Sequence, residues 1–118
     1  MVDNLSIWEE LSRLLASHED ILIVGEATEG QQALELIAAH RPDVVLLDIN
    51  LRSMRAIEAA NMIKKSWLGT IIIGLCVIQD PYVRAAFLRA GAVAVFSKDS
   101  LDLLHPTIQR ACRNKLAA

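Results

Sequence analysis

Short apolar runs alternate along the chain with segments in which apolar residues recur at helical spacing. The runs lie at 44–47, 70–75 and 92–96, and another at 21–24 follows the polar stretch at 18–20. Helical spacing marks the intervals between these runs and both ends of the chain. Strands that alternate with helices are typical of a parallel sheet with helices on both faces. The pattern therefore predicts an α/β fold in which a helix is followed by four strand–helix pairs.

Local signals predict where some helices begin and end. Arg41 followed by Pro42 ends the helix expected over 31–40, because helical backbone is disfavoured in the residue before proline. Asp80 followed by Pro81 predicts the start of a later helix, with the aspartate as N-cap and the proline at the first helical position. These signals agree with the apolar periodicity.

Composition limits the possible functions. The chain has 118 residues, of which 53% are apolar and 22% charged, and its formal net charge is −2. This length and composition predict one folded domain over residues 1–118. Acids and bases are interspersed without a basic stripe, which argues against direct nucleic-acid binding. The apolar runs are much shorter than the roughly 20 residues needed to cross a bilayer, so no membrane span is predicted.

Two further features concern the compartment. The first residues include Asp3, Glu9 and Glu10 and lack the basic start and apolar stretch of a secretory signal, which predicts a cytoplasmic protein. Cys76 and Cys112 lie among apolar residues and form no CxxC pair, so we expect reduced thiols.

The residues that end the predicted strands are the candidates for function. Ligands of open α/β sheets bind beyond the carboxyl ends of the strands, and these positions are Asp48, Cys76 and Lys98. A carboxylate and an ammonium group at one edge could bind a phosphoryl group together with a divalent cation. Considered alone, Asp48 could equally be an acid that caps a helix or faces water.

Several stretches of the sequence resemble the receiver domains of bacterial two-component response regulators, most closely those of the LuxR and NarL type. They are VGEA at 24–27, RPDVVLLDIN at 41–50, IIGL at 72–75, DPYV at 80–83, AGA at 90–92 and SKDS at 97–100. Their order and separations match this family over nearly the whole chain.

The resemblance implies a fold, a reaction and a set of site residues. The fold would be a flavodoxin-like (CheY-like), three-layer, doubly wound parallel sheet. A sensor histidine kinase or phosphotransfer protein would transfer a phosphoryl group to Asp48, and Lys98 would contact that group. Mg²⁺ would be held by Asp3, Asp48 and Asn50, with Asn4 in place of the usual second acid, and catalysis would depend on positioning and electrostatics.

The sequence departs from this family at positions that serve its switch. Cys76 stands where Ser or Thr is usual, and the loss of a hydrogen bond to a charged group would remove about 1.5 to 3 kcal/mol of switching energy. Val95 stands where Tyr or Phe is usual, and the adjacent Phe96 should point to the opposite face of the sheet.

The start of the chain also differs from the family, which has a central strand before its first acids. Met1 and Val2 are too few residues to form that strand before Asp3. We therefore expect a truncated or misassigned start, a strand supplied by another subunit, or neighbouring strands that close the gap. A homodimer formed by strand exchange is the first of these possibilities to test.

Other hypotheses remain open at this stage. A pseudo-receiver would keep the fold but bind partners without phosphorylation. The run at 46–50 faintly resembles the start of haloacid-dehalogenase-type phosphatases, but Asn50 replaces their general acid, so we do not expect an enzyme. No DNA-binding segment is expected within 1–118, so an output such as transcription regulation would require a separate domain or protein.

Overall fold

The computed structural model describes residues 5–27, 30–48, 56–76 and 81–117. Its helices and strands, in chain order, are α1 (Leu5–Ala16), α2 (Gly30–His40), β1 (Val44–Asp48), α3 (Ala56–Ser66), β2 (Ile71–Cys76), α4 (Pro81–Arg89), β3 (Ala94–Ser97), a 3₁₀ helix (Lys98–Leu103) and α5 (Leu104–Ala117).

Helix α2 ends and helix α4 begins where the sequence signals place them. The helix predicted over 31–40 is α2, and it ends before Arg41, whose φ of 48° lies in the left-handed region common at helix C-termini. Helix α4 begins at Pro81, as predicted; its expected N-cap, Asp80, lies outside the described residues. Within the described part of the chain, no helix is both long and apolar enough to span a membrane.

The three strands form one parallel sheet in the order β1-β2-β3. Val44 pairs with Ile71 and Asp48 with Leu75 in the first pair of strands, while Cys76 pairs with Ser97 in the second. Apolar side chains point to both faces of such a sheet, as expected when helices cover each side. The predicted α/β class with a parallel sheet is confirmed.

Two apolar cores cover the two faces of the sheet. The first core joins β1, β2 and β3 to helices α2, α3 and α4, and includes Leu47, Ile72 and Phe87. The second joins the opposite face to α1 and α5, and includes Leu46 and Leu104. The sheet therefore lies between two layers of helices, which gives the predicted three-layer arrangement.

The strand predicted over 21–24 is not formed, so the sheet of the described residues has three strands rather than four. Residues 21–27 have no regular secondary structure, and Leu22 is 84% exposed. A strand needs a neighbour for its backbone hydrogen bonds. The 21–24 segment does not pair with β1, which is an edge strand of the described sheet. The apolar run predicted burial, but no described strand pairs with it.

A groove of about 400 Å³ separates the 21–25 segment from β1. Ile23 lines one side of the groove, Val44 and Leu46 line the other, and Cys112 of α5 contributes to its wall. The expectation that the neighbouring strands close up is therefore wrong for these residues. Among the described residues, no backbone pairing joins the 21–25 segment to β1.

The last strand and the segment after it differ from the prediction in their bounds and in their secondary structure. The strand expected over 92–96 is β3, which runs from Ala94 to Ser97, and the loop expected over 97–99 gives way to the 3₁₀ helix from Lys98. Ala92 and Val93 precede β3 without being part of the strand, and Val93 N–H donates to the Ile72 carbonyl at 2.9 Å.

Gly74 provides a test of the packing that aligns the sheet with α4. A Cβ at this position would lie 2.7 Å from the ring of Phe87, which is fully buried and cannot easily move. We expect Gly74→Ala to lower the free energy of unfolding by about 1 to 3 kcal/mol, measured by urea denaturation. Gly25→Ala is the matched control, because its Cβ would meet Leu36 at an ordinary 3.4 Å. Equal effects of the two substitutions would contradict this packing.

Candidate functional site

The candidate site residue Asp48 is the last residue of β1. It is only 2% exposed, although it carries a carboxylate. Its backbone pairs with Leu75, and the next residue of β2, Cys76, pairs with Ser97 of β3. Parallel strands end at one edge of the sheet, so the backbones of Asp48, Cys76 and Lys98 are brought to that edge, as predicted.

The alternation of side chains assigns Asp48 to one face of the sheet. Leu46 and Leu75 belong to the core beneath α1 and α5, and Asp48 shares their face because it lies two residues after the first and opposite the second. A carboxylate is costly to bury without polar surroundings. The buried acid is therefore a feature that apolar packing alone does not account for.

Hydrogen bonds between Ser97 and Ser100 fix the backbone on both sides of Lys98. Ser97 N–H donates to Oγ of Ser100 at 3.2 Å, and the Ser100 hydroxyl donates to the Ser97 carbonyl at the same distance. These hydrogen bonds bracket the first turn of the 3₁₀ helix, in which Lys98 is the first residue. The turn places the Lys98 backbone immediately beyond the carboxyl end of β3.

Ser97 is a buried polar residue that the sequence interpretation assigned to a loop. It is 4% exposed, and its Oγ has no hydrogen-bond partner among the described residues. The sequence signal that could have identified it as buried was its position directly after the strand predicted over 92–96. It shares a face with Val95, two residues earlier, and this face is opposite that of Asp48. We therefore assign its hydroxyl no role towards Asp48.

Val95 and Phe96 lie in opposite cores, which confirms the prediction that these adjacent side chains face opposite ways. The Val95 carbonyl also accepts a hydrogen bond from Nη1 of Arg84 at 3.2 Å. This contact connects α4 directly to the backbone of β3, two residues before the edge where Asp48 and Lys98 lie.

The predicted cation ligands are only partly within the described structure. Asp3, Asn4 and Asn50 lie outside the described residues, and Asp48 is the member that can be placed. Mg²⁺ prefers oxygen ligands and is commonly held by one or two carboxylates, so the buried Asp48 carboxylate fits that requirement. The side chains of Cys76 and Lys98 also lie outside the described set.

Sequence and structural comparisons agree on one protein family. The sequence model of one protein family, the response regulator receiver domain, matches residues 1–109. The transcriptional regulatory protein NarL of Mycobacterium tuberculosis is 35% identical over 92 residues, which are 78% of this chain and 43% of that protein. A protein-glutamate methylesterase/protein-glutamine glutaminase of Hahella chejuensis is 30% identical over 93% of this chain and 32% of its own length.

A solved structure supports the same relationship. The signal receiver domain of the NarL response regulator from Mycobacterium tuberculosis superposes with a TM-score of 0.83 at 31% identity, covering 93% of this chain and 92% of that one. The chain spans less than half the length of the two curated relatives described above. The similarity to these two relatives therefore concerns only the part of each protein that this chain covers.

The two serines around Lys98 provide a matched pair for a stability test. We expect Ser97→Ala to change the free energy of unfolding by less than about 0.5 kcal/mol, because Ser97 is the N-cap of the 3₁₀ helix but its hydroxyl makes no capping hydrogen bond. Ser100→Ala should lower it by about 1 kcal/mol, because two hydrogen bonds are lost. Chemical denaturation of both variants measures this difference, and the reverse order would contradict the described hydrogen bonding.

Proposed function

Because this chain belongs to the response regulator receiver domain family, we propose that Asp48 is the residue at which it accepts a phosphoryl group. The domain is a receiver of two-component signal transduction, and the proposed donor is a sensor histidine kinase or a phosphotransfer protein. The observation that carries the proposal is a carboxylate that is 2% exposed at the carboxyl end of a parallel strand.

The proposed transfer is a single displacement at phosphorus. A carboxylate oxygen of Asp48 forms the new O–P bond while the N–P bond of phosphohistidine breaks, and its electron pair returns to the imidazole nitrogen. The product is an aspartyl phosphate. Such reactions depend mainly on positioning and on groups that offset the charge of the transferring phosphoryl group. Lys98, whose backbone follows β3, is the proposed ammonium donor to the phosphoryl oxygens.

The proposed Mg²⁺ ligands are Asp48, the backbone carbonyl of Asn50, Asp3 and the amide oxygen of Asn4. When bound, the ion would offset negative charge on the phosphoryl oxygens. Asp3 and Asn4 directly precede α1, and α1 packs on the sheet face that Asp48 shares. Asn4 contributes no charge, so we expect weaker cation binding than with two acids in these positions.

The proposed output is a change in the surface formed by α4, β3 and α5. Arg84 connects α4 to the Val95 carbonyl, close to the strand end that precedes Lys98. Tyr82 and Leu88 of α4 are exposed, and a partner could bind to them. Cys76 and Val95 at the two switch positions would make the phosphorylation-dependent change smaller than in a receiver with a hydroxyl and an aromatic ring there.

We infer that residues 1–118 act as one domain, since both cores share the same sheet. The cytoplasm is the proposed location. Regulation of transcription is the proposed downstream process, because the NarL relative carries that description. The chain would then act as a switch, and the methylesterase activity named for the Hahella chejuensis relative would belong to that longer protein.

Homodimerisation is the proposed use of the groove beside β1. Each copy has an edge strand at Val44–Leu47 with no partner on one side among the described strands, and an apolar segment at 21–24 that is not part of a described strand. A two-fold arrangement would let the segment of each copy enter the groove of the other, so that both edges are satisfied by the same contact. This self-complementarity favours a second copy as the occupant.

Phosphorylation of Asp48 can be tested with acetyl phosphate and Mg²⁺. We expect the intact mass of the wild-type chain to increase by one phosphoryl group, and Asp48→Asn to prevent the increase, because the amide is a poor nucleophile. Asp43→Asn is the matched control, since Asp43 immediately precedes the same strand and is exposed. A folded wild-type chain that gains no mass would favour the pseudo-receiver, and loss of labelling in both variants would refute the specific role of Asp48.

The dimer can be tested by light scattering after size-exclusion chromatography over a range of concentrations. Leu22→Lys should weaken association about tenfold or more, because it would place a charge in the buried groove of the partner. Leu68→Lys is the control, since Leu68 is also exposed, at 75% compared with 84%, but does not line the groove. A wild-type chain that stays monomeric, or equal effects of the two lysines, would contradict strand exchange.

A further inference from the structure

Two histidines and an aspartate lie together where the turn after α1 meets the beginning of α5. Nε2 of His105 and Oδ1 of Asp20 are 2.9 Å apart. The rings of His18 and His105 stack with centroids 3.5 Å apart and an angle of 7° between their planes. One nitrogen or oxygen atom from each of the three side chains lies within 4.8 Å of the others. The proposed phosphoryl transfer does not use these three residues.

The two segments that carry this His18–Asp20–His105 cluster are held by a common core. Leu15 of α1 and Leu104 of α5 are buried in the same apolar cluster. The turn is also fixed by its backbone, because Ile21 N–H donates to the His18 carbonyl at 3.2 Å. The cluster therefore rests on two packed elements rather than on a chain terminus.

The polar contacts orient the carboxylate of Asp20 towards α5. Gln109, one turn after His105, donates from Nε2 to Oδ2 of Asp20 at 3.2 Å. The pKa of Asp20 is lowered, first by its hydrogen bond with His105 and further by the one from Gln109. The hydrogen bonds from His105 and Gln109 hold both oxygens of the Asp20 carboxylate close to the start of α5.

These donor atoms match the preferences of a particular class of ion. Zn²⁺ and neighbouring transition metals bind imidazole nitrogen together with carboxylate oxygen, whereas Mg²⁺ prefers an all-oxygen set. Two ligands of a tetrahedral zinc lie about 3.4 Å apart when each bond is about 2.1 Å long. The three donor atoms, which lie within 4.8 Å of one another, could reach that spacing through side-chain rotations that turn the stacked rings towards a shared ion.

We propose that His18, Asp20 and His105 form a binding site for a divalent transition-metal ion such as Zn²⁺, with water completing the coordination. The ion joins the end of α1 to the start of α5 and stabilises the folded state, because the unfolded chain does not hold these ligands together. Gln109 acts as a positioning residue through its hydrogen bond to Asp20. The site is independent of Asp48 and of phosphorylation.

The test uses the full chain without a histidine tag and measures Zn²⁺ binding by isothermal titration calorimetry. We expect one Zn²⁺ per chain, and we expect His18→Ala and His105→Ala each to weaken its binding about tenfold or more. His40→Ala is the matched control and should bind as the wild type does, because His40 is an exposed histidine at the end of α2 and lies outside the cluster. Equal weakening in all three variants would overturn the proposal.

Two further measurements distinguish this site from other modes of binding. The ring signals of His18 and His105, but not those of His40, should shift in NMR spectra on addition of Zn²⁺ and stay unchanged with Mg²⁺. Cys112→Ser should leave the Zn²⁺ affinity unchanged; a loss as large as that of the histidine variants would show that a thiolate is the ligand and refute the proposed donor set. An unchanged melting temperature of the wild-type chain in excess Zn²⁺ would refute the stabilising role.

Discussion

The parallel pairing of β1 with β2 is the constraint on which the rest of the structure depends. It places Leu47 beside Gly74 and Asp48 beside Leu75. Phe87 packs against the space left by the missing side chain of Gly74, so α4 has a defined position on the sheet. A shift of the strands by one residue would move every side chain of β1 to the opposite face and would bury Asp48 beneath the wrong helices.

This register also explains how a carboxylate comes to be buried at the end of β1. The apolar residues before Asp48 hold β1 inside the protein, and the strand ends at the acid, at the carboxyl edge of the sheet. The hydrogen bonds between Ser97 and Ser100 fix the backbone around Lys98 just beyond the end of β3, which is separated from β1 by β2. The strands thus bring the backbones of residues from distant parts of the sequence to one edge of the sheet, and the proposed phosphoryl transfer would depend on that positioning.

The side of the molecule formed by α1, α5 and the 21–27 segment has a different character. Its core is closed around Leu11 and Leu104, whereas the groove beside β1 leaves the apolar side chain of Leu22 exposed. The His18–Asp20–His105 cluster connects α1 to α5 next to this groove, since Asp20 also lines it. Association and metal binding would both act on this side, while the proposed phosphorylation-dependent surface would lie at the other edge of the sheet, where α4 and α5 flank β3.

The sequence alone determined the order of the α-helices and of the three strands that form, the parallel α/β class and the position of Asp48 at a strand end. These features depend on local periodicity and on punctuation such as Pro42 and Pro81, which act over a few residues. Tertiary structure decided the rest. The run at 21–24 has the apolar residues of a strand, but strands require a hydrogen-bonded neighbour, and in the described structure a groove lies between this run and the edge of β1. The meeting of Asp20 with His105, which are 85 residues apart, likewise arises only from packing.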